Sequence, residues 1–205
     1  MDKDEAYVYD KIAEEYYKNK KGLYPKNDLE KFLYYLSQGS SILDLGCGPG
    51  QASKIFCERK YLVTGLDFSE EMIKIGKKEI PNAKFILEDI RNLNKVFRNE
   101  MFEGAWACAS LLHIPKKDIP SVFNQVYNVL KNQGVFYVSV KEGEGEKDLT
   151  DERYDNIKRH FSYFKKEEII SLLKESKFRP IYFSSNRRDY SKDPEHIWIN
   201  FIAKK

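Results

Sequence analysis

The chain has 205 residues, of which 41% are hydrophobic and 33% charged, and its formal net charge is +3. That length suits one domain with a real core and is short for two; lysines and glutamates are interspersed, so no basic stripe fits a nucleic-acid backbone. No apolar run approaches the ~20 residues that span a bilayer, and the opening Met-Asp-Lys-Asp-Glu lacks the regions of a signal peptide. Cys47, Cys57 and Cys108 have no C-x-x-C spacing and read as reduced thiols, not as a disulfide frame or a metal site. A cytoplasmic protein with no membrane partner is the expectation.

In chain order, Tyr9, Ile12, Ala13 and Tyr16 form one face of an amphipathic helix, which Gly22 and Pro25 separate from a second. Residues 1–38 therefore read as a helical cap whose tyrosines either join the core or cover a pocket at the carboxyl ends of strands. Strands are expected over 41–45, 61–66, 84–87, 102–108 and 135–140, then near 180–184 and 196–203, with helices between them. Ile119, Val122, Phe123, Val126 and Leu130 put one helical stripe on the sheet, and Asn132-Gln133-Gly134 should end that helix. Alternating strand and helix implies one α/β domain over 1–205, with a mostly parallel sheet covered on both faces. The stretch from Lys141 to Asn156 is almost all charged or small, with Gly143 and Gly145 as hinges. It precedes Phe161, Tyr163 and Phe164, and 141–164 is either a mobile surface loop or a substrate lid.

Residues Ile42 to Gly50 carry the chemistry. They run as a buried strand, Asp44, then glycines at 46, 48 and 50 opening a helix near Gln51. Such glycines let backbone approach a ligand closely, and the helix turns its unpaired N–H groups toward it. With Asp44 beside a cationic group, the site suits a ligand of both charges. The dinucleotide fingerprint G-x-G-x-x-G does not fit, because the third glycine comes one residue early. Asp67 ends the second strand about twenty residues beyond the turn, where a ribose-binding acid stands in this topology; its other reading is to start the next helix, which Ser69 could do instead. Asp89 can accept from an exocyclic amine while Ile90 packs on a base, or it is simply a turn residue. The small Ala107-Cys108-Ala109 at the fourth strand end leaves room beside a ligand.

With these segments, together with Thr64–Met72, Phe85–Ile90, Ala107–His113 and Leu130–Val140, the chain resembles the class I S-adenosylmethionine-dependent methyltransferases over nearly its whole length. The resemblance implies a Rossmann-like three-layer sandwich, with seven strands, the last antiparallel, behind N-terminal helices. It implies S-adenosyl-L-methionine as cofactor and S-adenosyl-L-homocysteine as product. Asp44, Gly46, Cys47 and Gly48 would hold the methionine moiety, Asp67 the ribose, and Phe68, Asp89 and Ile90 the adenine. Met72 and Ala109 complete the cofactor set, and Tyr9 and Tyr16 match tyrosines that close over the cofactor. Cys47 reads as a small filler and not as a nucleophile.

Methyl transfer from a sulfonium is an in-line displacement that mainly needs orientation and exclusion of water. A base is required only where the acceptor must lose a proton. His113, beyond the fourth strand, is the candidate on position and on the near-neutral pKa of imidazole, or else it orients the loop before Pro115. Lys141, Glu142, His160 and Tyr163 flank the expected acceptor mouth. The place where base-amine methyltransferases carry Asn/Asp-Pro-Pro-Tyr/Phe reads Ala109-Ser110-Leu111-Leu112, so a small-molecule acceptor is expected and nucleic acid is not. The alternatives are a cofactor-binding module without its own catalysis and a protein or RNA methyltransferase.

Overall fold

A computed structural model of the chain describes residues 3–20, 22–151, 157–187 and 196–205. Helices α1 (Lys3–Lys20) and α2 (Lys26–Tyr34) precede β1 (Ser41–Leu45), α3 (Gln51–Glu58), β2 (Leu62–Asp67), α4 (Glu70–Glu79) and β3 (Lys84–Leu87). Then come α5 (Leu93–Val96), β4 (Phe102–Cys108), α6 (Ile119–Val129), β5 (Leu130–Lys141), β6 (Glu146–Asp151), β7 (Ile157–Ser162), α7 (Lys166–Glu175), β8 (Arg179–Arg187) and β9 (Ile197–Lys204). Seven strands form one sheet in the order β3-β2-β1-β4-β5-β9-β8. β9 runs antiparallel to both of its neighbours, and the other pairings are parallel. The Rossmann-like sandwich, with its last strand reversed, is the fold expected from the sequence.

The central strands are apolar runs because both faces are covered. On one face Leu43, Leu45, Phe136 and Val138 meet Val122, Phe123 and Val126 of α6. On the other, Ile42, Trp106 and Tyr137 meet Leu29 and Phe32 of α2 and Phe56 of α3. Trp106 lies flat on Tyr137, with ring centroids 3.7 Å apart and an interplanar angle of 10°. The crossovers bring the carboxyl ends of β1, β2, β3 and β4 to a single edge, where ligands of such sheets bind. α1 lies beside that edge, fastened to α4 through Ile12 and Ala13 against Met72 and Ile75. Asp10 adds a polar fastening: its carboxylate accepts from the Ser69 hydroxyl at 2.6 Å and the Glu71 N–H at 3.1 Å. Ser69 in turn caps α4 by accepting from the Met72 N–H. Among the described residues no helix is long and apolar enough to cross a membrane.

Two local expectations are corrected. Asn132-Gln133-Gly134 does not end the helix: α6 stops at Val129, and Leu130 already pairs with Phe102 as the first residue of β5. The next pair is Gly104 with Val135, so residues 131–134 bulge from the strand, with Gln133 at φ 66°. The charged stretch after Lys141 is also not all loop, since β6 and β7 form a two-stranded antiparallel ribbon. Its outer face is stitched by charge, with Asp148 3.1 Å from Lys158 and 3.0 Å from His160. Residues 152–156, part of the proposed lid, lie outside the described residues.

Candidate functional site

The glycines after β1 make a tight turn. Gly46 and Gly48 have φ of 66° and 53°, the left-handed region that glycine tolerates. A Cβ on Gly46 would stand 2.3 Å from Ser110 Cβ, so the turn and the β4 end touch through that missing atom. A Cβ on Gly48 would meet nothing nearer than Gln51 at 3.9 Å and the Tyr16 ring at 4.0 Å, leaving a cradle beneath Tyr16. The Gly46 and Cys47 N–H groups both donate to the Leu66 carbonyl, which ties the turn to β2.

Two buried carboxylates face this turn. Asp44 accepts from the Ser53 hydroxyl at 2.6 Å. Asp67 accepts from the Gly48 N–H at 2.8 Å and the Ser69 N–H at 2.9 Å. Burial pushes Asp44 up to about 7, against the Ser53 hydrogen bond and with help from the Asp67 charge. Burial likewise lifts Asp67 to about 6, opposed by its backbone donors and aided by Asp10. Three acids thus converge where a cation would relieve them. Ser110 adds a buried hydroxyl with no hydrogen-bond partner at the same turn.

The other expected cofactor residues divide. Phe68 is half-buried and meets the Tyr9 ring edge-on at 5.6 Å. Ala109 has φ 58° and donates its N–H to the Ser139 carbonyl, which turns the chain sharply out of β4. Ile90 is buried near Gly46. Asp89 stands where expected, but Arg91 donates to it from its backbone N–H and from Nε and Nη2. Burial would raise Asp89, yet the Arg91 contacts outweigh it and hold the carboxyl below its ordinary range. Most of its acceptor capacity is therefore in use. Two residues point elsewhere: the Cys47 sulfur packs among Ile73, Ile80 and Phe85, and Met72 is buried under α1.

His113 lies on a short helical turn (Leu111–His113) beyond β4. Its Nδ1 is 2.9 Å from the His160 carbonyl, which can only accept, so Nδ1 carries the proton. Nε2 is then the acceptor, and Tyr9 O–H donates to it at 2.9 Å. The near-neutral pKa expected of His113 is not found: burial, then the Arg159 charge, push it down to about 3. The ring is neutral at physiological pH and ties α1, β4 and β7 together. Replacing Tyr9 with Phe leaves that buried nitrogen without a donor and should cost roughly 1–3 kcal/mol of stability, measured by urea denaturation. An unchanged midpoint would remove the tie.

At the mouth, Lys141 is buried with its ammonium 4.7 Å from the Phe161 ring centre. The His160 ring faces away, held by Asp148 and Glu146, and only its carbonyl reaches His113. Tyr163 is buried and stacks on His196 at 5.8 Å, while Glu142 is exposed and pairs through its backbone with Phe164. Asp10, Ser53, Ser110, Arg91 and Arg159 were not singled out from the sequence. Only Ser53, in the first turn of the helix after the glycines, carried a readable signal.

Residues 42–134 match the model of the methyltransferase domain family. That stretch runs from β1 to the bulge of β5, and over it the chain is similar to methyltransferase domains. The domain is 32% identical over 103 residues to a trans-aconitate 2-methyltransferase of Escherichia coli, covering 49% of this chain and 39% of that one. A Bacillus subtilis chain, YqeM, carried under a provisional methyltransferase name, is 31% identical over 109 residues, 51% of this chain and 44% of its own length. The chain spans less than half the length of these relatives. In fold, the chain resembles a Methanosarcina mazei structure titled as a SAM-dependent methyltransferase, with TM-score 0.78, 23% identity and coverage of 89% of this chain and 98% of that one.

Proposed function

We propose that this chain is a methyltransferase that binds S-adenosyl-L-methionine at the glycine turn and transfers its methyl group to a small-molecule acceptor. The observation that carries the reading is the Asp44–Asp67 pair: two buried carboxylates, destabilised as anions, beside an open cradle at Gly48 and the unpartnered Ser110 hydroxyl. A zwitterionic, sulfonium-bearing ligand answers all three features. Bound there, the cofactor supplies an already activated methyl group.

The chain's own residues then bind and orient. Asp67 has lone pairs left for ribose hydroxyls beyond its backbone donors, Asp44 supplies negative charge, and Phe68 with Ile90 offers apolar surface to adenine. Tyr16 covers the cradle and Tyr9, held by His113, closes the acceptor side against water. In this reading His113 is a positioning residue for Tyr9. The 205 residues act as one domain, capped by 1–38 and with 141–164 beside the acceptor. The free thiols of Cys47, Cys57 and Cys108 support a cytoplasmic setting.

Calorimetry with S-adenosylmethionine and S-adenosylhomocysteine tests the reading, and acidity sharpens it. Both carboxylates are charged above pH 7. As pH falls through about 7 and about 6 they take up protons that a sulfonium must displace. Affinity for the sulfonium should fall by up to about tenfold per unit and per proton displaced, and affinity for the uncharged thioether by less. Absence of binding by either compound removes the proposal, and parallel pH profiles remove the role of the acid pair. A binding module without catalysis would bind both and transfer no label to a metabolite extract.

A further inference from the structure

Asp89 stands just beyond β3, where an acceptor for the adenine amine is expected, and Arg91 already fills it. Each carboxylate oxygen meets two of the arginine's nitrogens. Oδ1 accepts from the backbone N–H at 2.8 Å and from Nε at 3.0 Å. Oδ2 accepts from Nε at 3.1 Å and from Nη2 at 2.6 Å. A carboxylate offers about four lone-pair directions, so little acceptor capacity is left over. The arginine is itself held from behind. Its Nη1 lies 3.4 Å from Asp118, the residue before α6, and Gln125 of α6 donates to the Arg91 carbonyl at 2.9 Å. Asp89 is only 6% exposed, so withdrawing the guanidinium would leave a buried charge with a single backbone donor, a costly state. A neutral amine is a poor replacement, because charge-assisted forks are the stronger bonds.

We propose that this chain binds its cofactor without reading the adenine amine, and that Arg91 sets this tolerance by occupying Asp89. The proposal rests on the cofactor reading above and concerns the selectivity of that same site. Phe68 and Ile90 then supply apolar contact, which any purine can accept. Asp44 and Asp67 hold the sulfonium end and the ribose, which a change of base leaves untouched. A pocket that hydrogen-bonds a ligand group rejects the analogue lacking it, whereas an apolar surface barely separates the two. Arg91 touches no part of the ligand in this scheme; it acts through Asp89 and is a positioning residue. Cofactors altered at the 6-position of the base therefore remain ligands.

Calorimetry on the full chain tests this with S-adenosylhomocysteine and its 6-deamino analogue, which carries purine in place of adenine. Wild type should bind the two within about threefold of each other. Arg91→Gln frees Asp89 lone pairs for the amine, and the adenine compound should then be preferred by about tenfold or more, the worth of a hydrogen bond to a charged group. Arg91→Lys keeps the positive charge, and so protects the fold, but replaces the fork with a single ammonium. It should raise the preference to at least about fivefold. The ratio of two affinities on one protein cancels any loss of folded material, so a purely structural role for Arg91 leaves that ratio unchanged. A wild-type preference above about threefold shows that the amine reaches an acceptor and overturns the proposal. A preference in both variants no greater than that of wild type overturns it as well. Failure of the cofactor reading is distinguishable, because then neither compound binds wild type.

Discussion

Asp67→Ala should weaken S-adenosylmethionine binding by roughly 1–3 kcal/mol, about 5- to 150-fold, as expected when a charged acceptor is lost. The same change strips the acceptor from the Gly48 and Ser69 N–H groups, so the glycine turn also loses one of its ties to β2. Asp67→Asn separates the two effects. The amide keeps one acceptor oxygen for the backbone but carries no charge toward a sulfonium. Its melting temperature should stay nearer to wild type than that of Asp67→Ala, while its cofactor affinity falls nearly as far. Calorimetry showing unchanged affinity in both variants would take Asp67 out of the cofactor site.

Gly46→Ala should be the most damaging single-methyl change in the turn. A Cβ would sit 2.3 Å from Ser110 Cβ, at a backbone φ of 66°. The left-handed conformation alone costs an L-residue about 1–2 kcal/mol, and overpacking a tight contact typically adds about 1–3 kcal/mol. A total near 3 kcal/mol, read by urea denaturation, is expected. Ser110→Gly in the same chain removes the collision and leaves the backbone cost, so the double variant should recover about half the loss. Full additivity of the two changes would show that the contact is not what excludes alanine.

The sequence announced those features that the backbone itself demands. Glycines at 46, 48 and 50 after an apolar strand, with an acid ending the next strand, have one economical geometry, and the structure adopts it. Side-chain direction was less legible. Cys47 sits in the motif, yet its sulfur packs behind β2 against Phe85, because a turn residue contributes backbone and side chain to opposite places. Met72 follows Asp67 closely but is sealed under α1, a contact between elements far apart in the chain. The β6–β7 ribbon is illegible for a different reason. Its outer face pairs acids with bases across strands and its inner face mixes cations with Leu149 and Phe161, so neither shows the apolar alternation by which a strand is read. His113 stands beyond β4, but its proton affinity depends on burial under Tyr9 and Phe161, which no local spacing reveals.

Trp106 and Trp198 are the chain's two tryptophans, and both are buried, one at the middle of β4 and the other near the start of β9. Trp106 stacks on Tyr137, a contact that exists only while β4 and β5 are correctly aligned. Intrinsic emission is therefore a built-in gauge of sheet integrity. A red shift on adding urea reports solvent reaching the centre of the molecule, with no dye or engineered label required for the denaturation experiments above.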